Sequence, residues 1–359
     1  MLVYKSDISY FSGKVEAYLH LKGIPHEVRD TGYFGFLEIE RATGVKKMPA
    51  IALPDGRWLY DSTWLIRWLE DEHPSPAVRL EDPVQEFVAF LIEDYGDEWL
   101  WRPAMWWRWV PPVAQRQVGR RIAREFFGPF FNGPIGAWFA LRQRREWLYR
   151  DGVTRRNDGW VQQLYRDELA TLNRVLANRP FVLGQRPTWA DFGYMGSMFR
   201  HFGCDDEPSE VMRREAPAVY TWVARMWEGA GGAPGVGFDT SGLDALFARI
   251  RGDYLPYLEQ NASAHDRGAK RFDLDGATAT LRGSVTTTYR VHAWNALLAQ
   301  WARLTSAQQH EVERLVGDLG ILRGGARVEC GLPDVCELPV TPGTAPAIRV
   351  RTLLGQPRN

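Results

Sequence analysis

Between residues 49 and 60, two short apolar runs, Pro49 to Leu53 and Trp58 to Tyr60, flank the dipeptide Asp55-Gly56. Asp-Gly tolerates the positive φ angles of a two-residue turn, so it is among the strongest short-range signals for a β-hairpin. The sequence on either side then narrows the fold. Leu2 to Tyr4 reads as a short apolar strand, and Ser9 to Phe11 marks a turn. Val15, Leu19 and Lys22 recur at helical spacing until Gly23 and Pro25 stop the helix. His26 to Asp30 reads as a second strand and Glu38 to Ala42 as a short helix ending near Gly44. After the hairpin, Asp61 or Ser62 can cap a helix carrying Leu65, Ile66 and Leu69. The predicted order over residues 1–75 is β-α-β-α-β-β-α.

Pro74, Pro76 and Pro83 mark a linker, and beyond it the pattern turns helical. One helix is expected over 84–109, stopping before Pro111-Pro112. A second apolar and basic stretch over 113–149 is broken by Gly128, Pro129, Gly133 and Pro134. Further helices are expected over 160–176, from Thr188, and over 219–227. Five glycines between Gly229 and Gly237 predict a flexible connection. Residues 239–330 carry helical stretches at 243–258, 291–301 and 306–319, with a hairpin over 271–285. Residues 331–359, rich in Pro and Gly, are expected to form an irregular tail.

With 359 residues, 44 Lys plus Arg and 44 Asp plus Glu, the chain has a formal net charge of zero, so bulk electrostatics gives no reason to expect a nucleic-acid partner. The first residues lack a basic segment followed by a long apolar run, and no stretch approaches 18 uncharged apolar residues. A signal peptide and an ordinary membrane span are therefore not expected, and a cytoplasmic location is the default. Three cysteines are too few for a disulfide framework. No short pattern of His or Cys suggests a metal site, and the Cys330 and Cys336 pair reads as accidental. The 16 Trp are unusual, and many of them lie between Trp99 and Trp160. They fit a thick helical core, a ligand cavity or a subunit interface. Arg116, Arg120, Arg121 and Arg124 can share one helix face. That face is either simply solvated or meets an anionic acceptor, an acidic partner or a membrane surface.

Three junctions in the first 75 residues carry candidate chemistry. Ser9-Tyr10-Phe11-Ser12 opens the first helix, where unpaired N–H groups and a partial positive charge are exposed. A serine hydroxyl there can donate to a bound thiolate and lower its pKa, or it can merely cap the helix. Lys47-Met48-Pro49 enters a strand, and a cis proline would turn the Met48 N–H and C=O towards a peptide-like ligand. Asp61 and Ser62, at another helix start, can hold α-amino and α-carboxylate groups or serve as caps.

At these residues the sequence resembles the glutathione transferase superfamily, as a bacterial-type, serine-class-like member. VYKSDISYFSGKVEAYLHLKGIPHEV, KKMPAI and YDSTWLIRWLE resemble its thioredoxin-like domain, here residues 1–75. Residues 84–228 resemble its all-helical, acceptor-binding domain, in which FVLGQRPTWADFGYMGSMF matches a buried helix with a capping box formed by Thr188 and Asp191. The resemblance implies an α/β domain followed by an all-α domain; the chain departs from it in a long insert near 110–155 and in an additional C-terminal α+β region at 239–330.

It also implies that Ser9 activates the thiol of glutathione as cosubstrate, with Tyr4, Tyr10 and Ser12 as alternative hydroxyls. Met48, beside Pro49, would give backbone contacts. Asp61 and Ser62 would hold the γ-glutamyl end and Lys47 the glycine carboxylate. The expected partners are a small hydrophobic electrophile and a second copy of the chain in a homodimer. No Cys precedes Cys204, which excludes a thiol–disulfide cycle at Ser9 to Ser12. The alternative function is a non-catalytic interaction or ligand-binding protein on the same scaffold.

Overall fold

In the computed structural model, which describes residues 1–130, 132–232, 237–331 and 338–342, four strands form one sheet in the order β2-β1-β3-β4. They are β1 (Leu2–Lys5), β2 (Glu27–Asp30), β3 (Ala50–Ala52) and β4 (Trp58–Tyr60). β1 runs parallel to β2, with Val3 opposite Val28, and antiparallel to β3, with Val3 opposite Ile51. β3 and β4 form the expected hairpin, with Ile51 opposite Leu59. Side chains alternate across a pleated sheet. Val3, Ile51 and Leu59 therefore pack with α1 (Tyr10–Lys22) and α3 (Ser62–Glu72), while Tyr4, Ala50, Trp58 and Tyr60 pack with Ile39 and Ala42 of α2 (Gly32–Thr43). This is the thioredoxin-like arrangement.

An all-helical region follows. It comprises α4 (Pro83–Glu98), α5 (Trp101–Trp109), α6 (Pro112–Phe127), α7 (Asn132–Gln143), α8 (Asp158–Leu176), α9 (Trp189–Ser197), α10 (Asp206–Glu215) and α11 (Pro217–Trp227). The single helix expected over 84–109 is two helices. Pro103 has no N–H to donate to the carbonyl four residues back, that of Trp99, and the chain breaks there. α9 crosses α4 at Gly96 and Gly193, where a Cβ on Gly96 would lie 2.8 Å from the Gly193 carbonyl carbon. The Thr188–Asp191 capping box is formed, and the Asp191 carboxylate also accepts from Val182 N–H and Trp222 Nε1.

The C-terminal region is α+β. It contains α12 (Asp244–Arg249), a π-helical turn at Ile250–Tyr254, α13 (Leu255–Asp266), the β5 (Arg271–Asp275) and β6 (Thr280–Val285) hairpin, α14 (Thr288–Ala302), α15 (Ser306–Val316) and α16 (Gly320–Arg323). It folds back onto the helices before it and shares one apolar core with them; Phe87 and Trp301, for example, lie 5.3 Å apart. Buried polar groups cross the same boundary. Glu168 accepts from Tyr95, Tyr194 and Arg249 at 2.5, 2.8 and 2.7 Å. Within the expected tail, Val340 forms an isolated bridge to Trp58 at the free edge of β4, and the other described residues of 338–342 lie in no helix or strand. Cys336 and most of the remaining tail lie outside the described residues, as does part of the glycine-rich connection after Gly229.

Candidate functional site

Ser9 follows the turn that leaves β1. Its backbone is extended, its N–H donates to the Ser6 carbonyl, and its Oγ accepts from Ser12 N–H at 3.3 Å. The hydroxyl is thus a true N-cap, and among the described residues no acceptor takes its proton. The first turn of α1 contains no acid, so its partial positive charge is not offset there. The preceding loop is tied down from α5. The buried Arg108 donates to the Ile8 carbonyl at 2.5 Å and to Asp205 at 2.6 and 3.1 Å. It also reaches the Arg200 carbonyl at 2.6 Å and lies 2.7 Å from His201 Nε2. Burial, with the guanidinium beside it, holds His201 well below its usual pKa, so the ring is neutral and can accept from Arg108.

The three alternative hydroxyls belong to buried side chains. Tyr4 points to the α2 side of the sheet, where its oxygen accepts from Arg29 at 3.0 Å; burial and Glu38 push it up to about 12. Tyr10 donates to the Gly96 carbonyl at 2.6 Å inside the helical region. Ser12 is fully buried and accepts from Ser6 N–H at 3.3 Å. Beside Ser9, half-buried Phe11 stacks on Trp101 with centroids 6.2 Å apart, and Trp147 meets Trp101 edge-on at 5.8 Å.

The Met48–Pro49 peptide is cis and leads into β3, with Met48 half-buried and Pro49 buried. Asp61 heads α3 with φ 66°, the only non-glycine with positive φ among the described residues. Its carboxylate makes no capping bond to α3. Instead it accepts from the Tyr289 hydroxyl at 3.0 Å and lies 4.0 Å from Lys47 Nζ, which sits 4.1 Å from the centre of the Tyr289 ring. One turn along, Trp64 Nε1 donates to His292 Nε2 at 3.2 Å. The N-terminal part of α14 therefore covers this end of the cleft, and the Asp61 and Ser62 side chains are both buried.

Behind Asp61 lies a buried ionic cluster. Lys14 Nζ meets Glu93 at 2.9 Å, Asp97 at 2.5 Å and Thr63 at 3.0 Å. Burial, which outweighs Lys14, pushes Asp97 up to about 7, with Glu93 adding to the rise. Glu98 is also raised by burial, with Lys47 and Arg290 pulling against it.

The structure thus brings Lys47, Asp61 and Ser62 together at one end of the first unit and places Ser9 beside an aromatic wall. Sequence inspection missed Arg108 and Tyr289. Nothing local to Tyr289 identifies a partner 228 residues away. A separate cavity of about 260 Å³ between α5, α6 and α8 is lined by Trp106, Val110, Arg144, Leu148, Tyr149 and Asp158, and includes neither Ser9 nor Asp61.

Residues 3–77 match the family model of the glutathione S-transferase N-terminal domain, and residues 162–229 match that of the C-terminal domain. Over those two stretches the chain is similar to the glutathione S-transferase family. Among solved structures it is similar to a glutathione S-transferase from Rhodospirillum rubrum F11, at 14% identity and a TM-score of 0.43, covering 68% of this chain and 98% of that one. It is also similar to a β-etherase from Sphingobium sp. strain SYK-6, at 19% identity and a TM-score of 0.45, covering 63% and 93%. A glutathione transferase family member from Pseudomonas fluorescens Pf-5, with two glutathione molecules bound, matches at 14% identity and a TM-score of 0.37, covering 65% and 92%. The insert that holds α6 and α7, and everything after residue 229, lie outside both family matches.

Proposed function

We propose that the chain binds glutathione along the edge of its thioredoxin-like unit and activates the thiol for attack on an apolar electrophile. The supporting observation is Ser9, which caps α1 while keeping its proton free to donate and stands beside the half-buried Phe11, Trp101 and Trp147. The thiol loses its proton to solvent. The Ser9 O–H and the positive end of α1 then stabilise the resulting thiolate, lowering its pKa. The sulfur forms a bond to the electrophilic carbon while a leaving group departs or a proton adds elsewhere on the acceptor. Ser9 attacks nothing itself. Met48, beside Pro49, would pair with the peptide backbone of the ligand, and Asp61 and Ser62 would take its γ-glutamyl end. Lys47, 4.0 Å from Asp61, fits that same end better than the glycine carboxylate.

The cover over Asp61 favours a second reading, an interaction protein that has kept the fold without the chemistry. A titration with reduced glutathione, following thiolate absorbance across pH, separates the two. A saturable complex with a thiol pKa depressed towards neutrality supports the transferase, whereas binding without that shift supports the interaction protein. Absence of binding would overturn the assignment of glutathione as the ligand.

A further inference from the structure

We propose that the α6–α7 helical hairpin is a docking surface for an anionic lipid bilayer. The inference stands independently of the ligand in the cleft. Residues 112–145 hold seven arginines and a single acid, Glu125, in a chain whose total charge is zero. Glu125 does not face outward. It is turned towards Ser6 of the first unit, and burial raises its pKa.

The two helices cross where a Cβ on either Gly119 or Gly136 would lie 2.7 Å from the backbone of the other, so their facing sides are closed against each other. The inner face of α6 presents Val118, Ile122 and Phe126, and Phe126 stacks on Phe36 of α2 with centroids 5.3 Å apart. The outer stripe of α6, at helical spacing, is Val113, Arg116, Arg120, Arg124 and Phe127. All five are exposed. Arg116, Arg120 and Arg124 make no ion pair or side-chain hydrogen bond among the described residues, and the nearby Asp206 meets α6 through Gln117.

The stripe runs into an aromatic tip. Phe127 contacts Tyr33 at 6.2 Å, Tyr33 contacts Phe34 at 5.6 Å, and Phe127 reaches Trp138 through Phe139. Phe34 and Phe130 are 82% and 75% exposed, with Trp138 and Leu141 exposed on α7. Such a concentration of exposed large apolar side chains marks an interaction site. Unpaired arginines beside large rings fit the layered chemistry of a membrane surface, with guanidinium groups at anionic headgroups and rings at the acyl boundary. An acidic protein would satisfy the arginines but would also have to supply an apolar counterpart for Phe34 and Phe130, which the acyl boundary of a bilayer provides. No helix among the described residues is long and apolar enough to cross a membrane, so the contact would be peripheral.

The test is co-sedimentation of the full chain with vesicles of phosphatidylcholine alone and of phosphatidylcholine mixed with phosphatidylserine. The expected result is binding to the anionic vesicles only, reversed by high salt. Arg116→Gln, Arg120→Gln and Arg124→Gln together should weaken it about a hundredfold, at roughly a factor of five for each arginine near the surface. Phe34→Ser with Phe130→Ser should weaken it about tenfold or more. Unchanged melting temperatures would show that the variants fold. Should a variant fail to fold, the wild-type comparison between the two vesicle types, with its salt dependence, still decides. Absence of binding at low salt, equal binding to neutral vesicles, or variants that bind as the wild type does would overturn the proposal. So would a lipid-free, concentration-dependent dimer abolished by the same substitutions, since the patch would then join two copies.

Discussion

The Tyr289 hydroxyl donates to Asp61 Oδ2 at 3.0 Å, so a residue 228 positions further along the chain rests on the carboxylate that heads α3. A ligand that places an ammonium group on Asp61 competes with that hydroxyl for the carboxylate. Tyr289→Phe keeps the ring against Lys47 and removes the competing donor. Glutathione binding is expected to tighten about three- to tenfold, measured by calorimetry. Weaker binding in this variant would mean that the hydroxyl contacts the ligand and does not compete with it.

Ser9 has two roles, and two substitutions separate them. Ser9→Ala removes both the cap and the thiolate donor, and should cost about 1 kcal/mol of stability as well as raising the pKa of the bound thiol. Ser9→Asp retains a good N-cap but adds a negative charge. Its melting temperature should stay near that of the wild type while the thiol pKa rises further. If the bound thiol in Ser9→Asp titrates as it does in the wild type, Ser9 is only a cap.

Arg108 joins α5 to the loop before Ser9. Arg108→Met would leave Asp205 buried without its partner, at a cost of about 3–5 kcal/mol in urea unfolding. Adding Asp205→Leu should recover part of that loss, because both charges are then gone. The carbonyl of Ile8 stays unanchored in both variants, so the apparent KM for glutathione should rise in both.

Stability should fall as the pH rises from about 4 to about 7. Asp97 is pushed up to about 7 and Asp191 to about 6, both chiefly by burial, while an unfolded Asp titrates near 4. Between those values the folded chain binds more protons than the unfolded one, which favours folding at the acid end of the window. Each unit of difference contributes roughly 1.4 kcal/mol. Urea unfolding at several pH values should show the decline, and Asp97→Asn should flatten it. A rise in stability across this window would mean that groups of opposite sign, the depressed His201 among them, outweigh Asp97 and Asp191.

Much of the first unit was legible in the sequence because its punctuation is chemical. Asp55-Gly56 fixes the hairpin, Gly23 stops α1 in a left-handed conformation, and Thr188 with Asp191 starts α9. The orientation of Tyr4 was also accessible, since it must face away from Val3 in a strand. The break between α4 and α5 was signalled by Pro103, but the run of tryptophans around it reads as uninterrupted helix. α10 was missed because DEPSEVMRRE offers only Val211 and Met212 as large apolar side chains to bury. At the site, the residue types at Ser9 and Asp61 were visible from local sequence. Their partners Arg108 and Tyr289 were not, because such contacts depend on how distant segments pack.

The bridge from β4 to Val340 and the bond from Asp61 to Tyr289 have a consequence during synthesis. A ribosome adds about 5–20 residues per second, so the first unit leaves the tunnel roughly 10–45 s before the helix that covers Asp61 has been made. Throughout that interval the nascent chain carries an open carboxylate and an unpaired strand edge. The newborn protein therefore offers that carboxylate to passing cations, and its edge to misassembly, as the finished one does not.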